Sequence, residues 1–242
     1  MRKILQSECL KQKHGAYFKL CLVLPFISLF IAFLLCGPTI LESFSIYWWE
    51  ALFLFTLAGL LFVYDYKAEE GAGHFQNTLQ GKLTGKIKVA KVMTALKNLF
   101  LASCVLLLFL YLVSFIFCGV MTVHFFRDAW VLLLMLIASA WNVPLLFYLS
   151  KWINCYLVFV LNSFLCLLVA PFLAQTSFWN LFPYTYHYKI AQALLHLKPS
   201  GEVEVLNHPH PVGLCIVAIS LSVLLFLIFI KALKALKEQK RG

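Results

Sequence analysis

Residues Asp65–Lys97 read DYKAEEGAGHFQNTLQGKLTGKIKVAKVMTALK, the one long polar, lysine-rich interval in an otherwise apolar chain. Lys67, Lys82, Lys86, Lys88, Lys91 and Lys97 share it with Glu69, Glu70 and Asn77. On either side lie apolar windows at about 44–64 and 99–119. A bilayer core about 30 Å thick takes roughly 20 helical residues to cross, so the interval reads as a loop between two crossings. Four more windows qualify, at about 17–36, 129–149, 153–174 and 212–230. The expected fold is an all-α polytopic membrane protein with six transmembrane helices, in one transmembrane domain over residues 1–242.

Composition agrees. The 242 residues are 62% hydrophobic and 12% charged, whereas soluble domains are about half apolar and about a quarter charged. The formal net charge of +10 does not point to nucleic acid, because the basic residues flank apolar spans. An even number of spans puts both termini on one side, and the lysine and arginine count selects which. Seventeen fall with the termini, the Asp65–Lys97 loop and Lys151; three (Arg127, Lys189 and Lys198) fall opposite. Both termini are therefore expected in the cytoplasm. The eight cysteines are scattered, without a CxxC pair, and read as small buried hydrophobes.

Residues 1–14 mix Met1, Ile4, Leu5 and Leu10 with Arg2, Lys3, Glu8, Lys11 and Lys13. That pattern predicts a short amphipathic helix on the inner membrane surface; the alternative is a basic tail that only fixes topology. Tyr47-Trp48-Trp49 forms an aromatic anchor at the outer interface. Glu50 follows at the mouth of the second span, read as an interfacial carboxylate in a wet crevice or as a substrate contact. Asn142 beside Pro144 suggests a side chain near carbonyls freed by the proline, and Asn154 and Asn162 are candidates for bonds across helices. Between spans five and six, residues 175–211 are aromatic and irregular. Pro183 opens a predicted helix of about 14 residues, too short to span, which lies in the outer interface or dips in and returns. Ile190, Leu194 and Leu197 line one face, Lys189 and Gln192 another, and Pro199-Ser200-Gly201 stops it. His187, His196, His208 and His210 lack a carboxylate pair at ligand spacing, so no metal site is expected.

The sequence offers no hydrolytic array, no His-Glu-x-x-His and no Gly-rich phosphate loop. Nor does it show the rows of buried Asp, Glu or Arg that ion-coupled transport uses. If the chain moves something, the energy comes from a cytoplasmic partner, and the Asp65–Lys97 loop is the surface large enough to meet it.

This arrangement resembles the ABC-2 type permeases, and more narrowly the lantibiotic (bacteriocin) immunity permeases of Gram-positive bacteria. Locally the resemblance rests on Tyr47-Trp48-Trp49, Glu69-Glu70, Gln76-Asn77-Thr78-Leu79, the basic run Lys82–Lys91, Phe182-Pro183-Tyr184 and Lys198-Pro199-Ser200-Gly201. A Leu-Pro step common in the family loop is Gln80-Gly81 here. The resemblance implies a subunit in a bacterial cell membrane, paired with a second permease chain, as a heterodimer, and with two ABC ATP-binding subunits. Together they would expel a membrane-bound lantibiotic and give self-immunity. ATP and Mg would bind the partner, leaving this chain without cofactor, metal or enzyme activity. Residues 68–79 would form a cytoplasmic coupling helix, with Glu69, Glu70, Phe75, Asn77 and Leu79 against the ATPase. The run Lys82–Lys91 would face lipid phosphates and the ATPase rim, or serve only as a topology signal. Glu50, Trp179 and Tyr184 are the candidate substrate contacts. The alternatives are a non-transporting binding or sensor subunit for a peptide antibiotic, which would use residues 178–197, and an ABC-2 exporter of another amphipathic or lipid substrate.

Overall fold

The computed structural model describes residues 2–13, 15–72, 84–121, 123–197 and 211–235. These are all-helical. A short helix α1 (Arg2–Lys13) precedes the first span, α2 (Tyr17–Cys36). Then come α3 (Leu41–Gly71), α4 (Thr84–Ile116), α5 (Phe125–Leu149) and α6 (Cys155–Ala174). A buried short helix, α7 (Tyr186–Leu195), and α8 (Pro211–Ala235) complete the order. Six of these, α2 to α6 and α8, are long and apolar enough to cross a membrane, so the chain is a multi-pass membrane protein.

Spans one and five begin and end close to where apolar windows set them; spans two and three do not. α3 runs on through Asp65 to Gly71, and α4 starts at Thr84, so most of the polar interval is helix rather than loop. Lysines stop a crossing, but they do not stop a helix: Lys and Glu are good helix formers, and ion pairs described below neutralise the inner faces. Residues 68–71 are the last turn of α3, so no separate helix begins at Ala68. Phe75, Asn77, Leu79, the Gln80-Gly81 step and Lys82 lie outside the described residues, as do Pro199–Gly201, His208, His210 and the basic residues after Ala235.

Among membrane helices small residues permit close approach. Gly59 of α3 faces the Phe159 ring of α6, where an added Cβ would sit 2.6 Å from a ring carbon. Ala58, Ala95, Ala102, Ala170, Ala174 and Ala218 are similarly buried. Pro25 sits within α2 without ending it; its missing donor costs one helical bond, a loss that packed membrane helices tolerate. Among the described residues Asn154 makes no bond across helices. Its Oδ1 accepts from the Tyr156 backbone N–H at 2.9 Å and caps the start of α6.

α7 is buried on most of its circumference: Tyr186, His187, Tyr188, Ile190, Ala191, Ala193 and Leu195 are all covered. It packs on α5 and α8 and touches α3 and α6, and it ends at His196, whose φ of 56° lies in the left-handed region. A helix that is covered nearly all round belongs inside a bundle, not on a surface. The sequence pattern of one apolar face against Lys189 and Gln192 understated this, because tyrosines and a histidine supply much of the buried wall.

Candidate functional site

Two polar clusters stand out, and α3 carries both. The first joins α1, the last turns of α3 and the start of α4. Asp65 and Glu69 are four residues apart, hence on one helical face. Lys91 of α4 enters between them. Its Nζ donates to Asp65 Oδ2 at 2.7 Å, Asp65 Oδ1 at 2.9 Å and Glu69 Oε1 at 2.9 Å, with Glu8 Oε2 of α1 at 3.5 Å. Lys11 closes the circle from the rim, at 2.8 Å from Glu8 Oε1 and 3.0 Å from Glu69 Oε1. Burial works against the charge on Lys11, yet its hydrogen bonds to Glu8 and Glu69 outweigh that, and its pKa lies above the ordinary lysine value. Asn98 Nδ2 donates to Gln12 Oε1 at 3.1 Å and extends the seam between α1 and α4.

A helix does form over Arg2–Lys13, and it meets the bundle through charged residues. Glu8 is its buried residue, and Leu10 points away, 64% exposed. Glu69 is turned inward onto Lys91, whereas Glu70 is half-exposed and paired with Lys67 at 2.6 Å. Sequence reading took Lys91 as one lysine in a loop and did not single out Asp65 or Glu8. The Asp65–Glu69 spacing was the available signal, had the interval been read as helix.

The second cluster lies deep in the bundle, where α3, α6 and α7 meet. Both α3 and α6 contain one π-helical turn, Trp49–Phe53 and Leu165–Val169, and the two turns touch. A π turn shifts the hydrogen-bond ladder and frees carbonyls for other donors, and such turns recur at functional sites. Here Tyr188 Oη donates to Cys166 O at 3.2 Å and to Ala51 O at 3.5 Å. Cys166 Sγ approaches Ala51 O at 3.4 Å and His187 Nε2 at 3.7 Å. One turn further along α3, Asn162 Nδ2 donates to Phe55 O at 2.9 Å, while its Oδ1 accepts from Asn142 Nδ2 at 2.6 Å and Tyr184 Oη at 3.0 Å. Rings tile the gaps: Phe55 lies 4.8 Å from His187 and 5.4 Å from Tyr184, and Trp141 stands edge-on to Tyr184 at 5.0 Å.

Glu50 belongs to this buried cluster. It is 0% exposed, and neither carboxylate oxygen has a hydrogen-bond partner. The wet interfacial crevice is therefore corrected: the π turn rotates Glu50 into the protein, under α7. Tyr184 is also buried, committed to Asn162, and Trp179 is the more accessible of the two aromatic candidates, stacked near Lys189 Nζ at 5.8 Å. Sequence reading missed Cys166, Tyr188 and the use of His187, because a π turn carries no residue signature.

At the opposite end, Glu42 pins α3 to α5, accepting from the His124 backbone N–H at 2.6 Å and meeting Arg127 Nη2 at 3.2 Å. Among the described residues no group of three or more His, Cys, Asp or Glu could hold a metal ion. Comparison with protein-family models, curated proteins and solved structures found no match.

Proposed function

We propose that the chain is the permease subunit of an ABC-type exporter that expels a membrane-bound peptide antibiotic, a lantibiotic in the closest resemblance, and so gives self-immunity. The observation that supports this reading is the Lys91 cluster. It ties together the two helices that flank residues 72–83 and fastens α1 to both. A connection mounted so firmly passes a push on the loop to α3 and α4 together, instead of absorbing it. In this reading the α1 end faces the cytoplasm, as the lysine distribution requires. An ATP-binding subunit seats against Glu70, Phe75, Asn77 and Leu79, while Glu69 holds the base of the loop. Two such ATPases and a second permease chain complete the exporter, and ATP with Mg stays in the partner.

The experiment is to express the chain alone, with an ATP-binding subunit encoded alongside it, and with a hydrolysis-dead version of that subunit. Survival under a lantibiotic is the readout. Protection is expected only with the active pair. Equal sensitivity in all strains would sink the exporter, and protection that survives the dead ATPase would mean a binding or sensor subunit instead.

A further inference from the structure

The carboxyl of Glu50 is a buried group that the exporter reading does not use. It is 0% exposed, both oxygens are unpartnered, and His187, also 0% exposed, has an unpartnered Nδ1. An ionised carboxylate left unpaired in an apolar interior is strongly disfavoured even after the surroundings relax. Among the described residues no lysine or arginine reaches either oxygen to offset that. The titratable groups that face it are Tyr47 on its own helix, Cys166 from α6, and Tyr188 and His187 from α7. Cys166 Sγ approaches the Glu50 backbone carbonyl at 3.8 Å and His187 Nε2 at 3.7 Å, which links α7 to the π turn that carries the acid. A metal ion has no third ligand among the described residues. The remaining ligand that neutralises a lone carboxylate in so little space is a proton.

We propose that Glu50 is a proton-binding site enclosed by the facing π turns and α7. One carboxylate oxygen forms an O–H bond with a proton delivered from water, and no other bond changes. Because α7 covers the acid, proton exchange requires the junction of α3, α6 and α7 to part, which links the proton to the arrangement of the bundle. The inference does not depend on the ATPase reading.

The test is infrared difference spectroscopy on the full chain in lipid nanodiscs near neutral pH, wild type minus Glu50→Gln. A protonated-carboxyl C=O band present in the wild type and lost in the variant is the expected result. Superimposable spectra in that region would overturn the proposal, since Glu50 would then be ionised. Should Glu50→Gln not accumulate, Glu50→Asp carries the same comparison: the band should move in frequency, and an unmoved spectrum overturns the assignment.

Discussion

Glu50 and Glu69 sit on the same helix, 19 residues apart in sequence, or roughly 28 Å by helical rise. They have opposite fates. Glu69 meets two ammonium groups within 3.0 Å, whereas Glu50 meets no donor among the described residues. The difference teaches that burial alone does not define a site in this protein. At the α1 end, lysines supplied by α1 and α4 make burial of three carboxylates affordable, and the cluster acts as a fastening. In the middle of the bundle the partners are rings, thiols and carbonyls, and the carboxyl is left with chemistry still to do.

The sharpest way to break that comparison is Lys91→Met. A buried pair can often be replaced whole at little cost, but removal of one partner strands the other charges. Three carboxylates would be left with only Lys11, and a loss of about 3–5 kcal/mol is expected, measured as a lower unfolding midpoint in detergent. A loss under about 1 kcal/mol would mean that water already screens the cluster. Next comes Asn162→Leu, which removes three hydrogen bonds at the α3–α5–α6 junction. At roughly 0.6 kcal/mol per membrane hydrogen bond, the expected loss is about 2 kcal/mol.

Lys11→Met tests the rim of the first cluster. Lys11 is half-exposed, so at most about 1 kcal/mol is expected. Its raised pKa fixes the sign of the pH dependence: the contribution is complete below the unfolded lysine value of about 10.4 and lost as pH rises through the folded value. Limited proteolysis after α1 should therefore accelerate in strong base. The smallest effect is expected for Glu50→Gln, because a protonated carboxyl and an amide of the same size are both neutral and both left without a partner there. A gain of several kcal/mol on the same unfolding assay would show that the wild type buries a bare charge.

Six apolar windows of about 20 residues were enough to read the spans, because hydrocarbon demands length and apolarity and little else. α2 was legible to the residue. The second and third spans were cut short, since Asp65, Lys67, Lys88 and Lys91 mark where hydrocarbon ends but not where hydrogen-bonded helix ends. The clusters were less legible still. Asp65, Glu69 and Lys91 come together only once two helices are packed with a defined rotation, and Glu8 and Lys11 only once α1 docks. Glu50 was noticed as a carboxylate near an apolar span, but its direction depends on one extra residue in a helical turn. No side-chain pattern announces that insertion.

The 33 residues of α4 amount to a rod roughly 50 Å long, against a hydrocarbon layer of about 30 Å. Counted back from Ile116, about 20 residues fill that layer, which sets the water boundary near Asn98 and leaves roughly 20 Å of rigid helix standing clear of it. Lys91 lies on this protruding shaft. A sideways force at its tip therefore acts with leverage, and small displacements there become a tilt of the buried length.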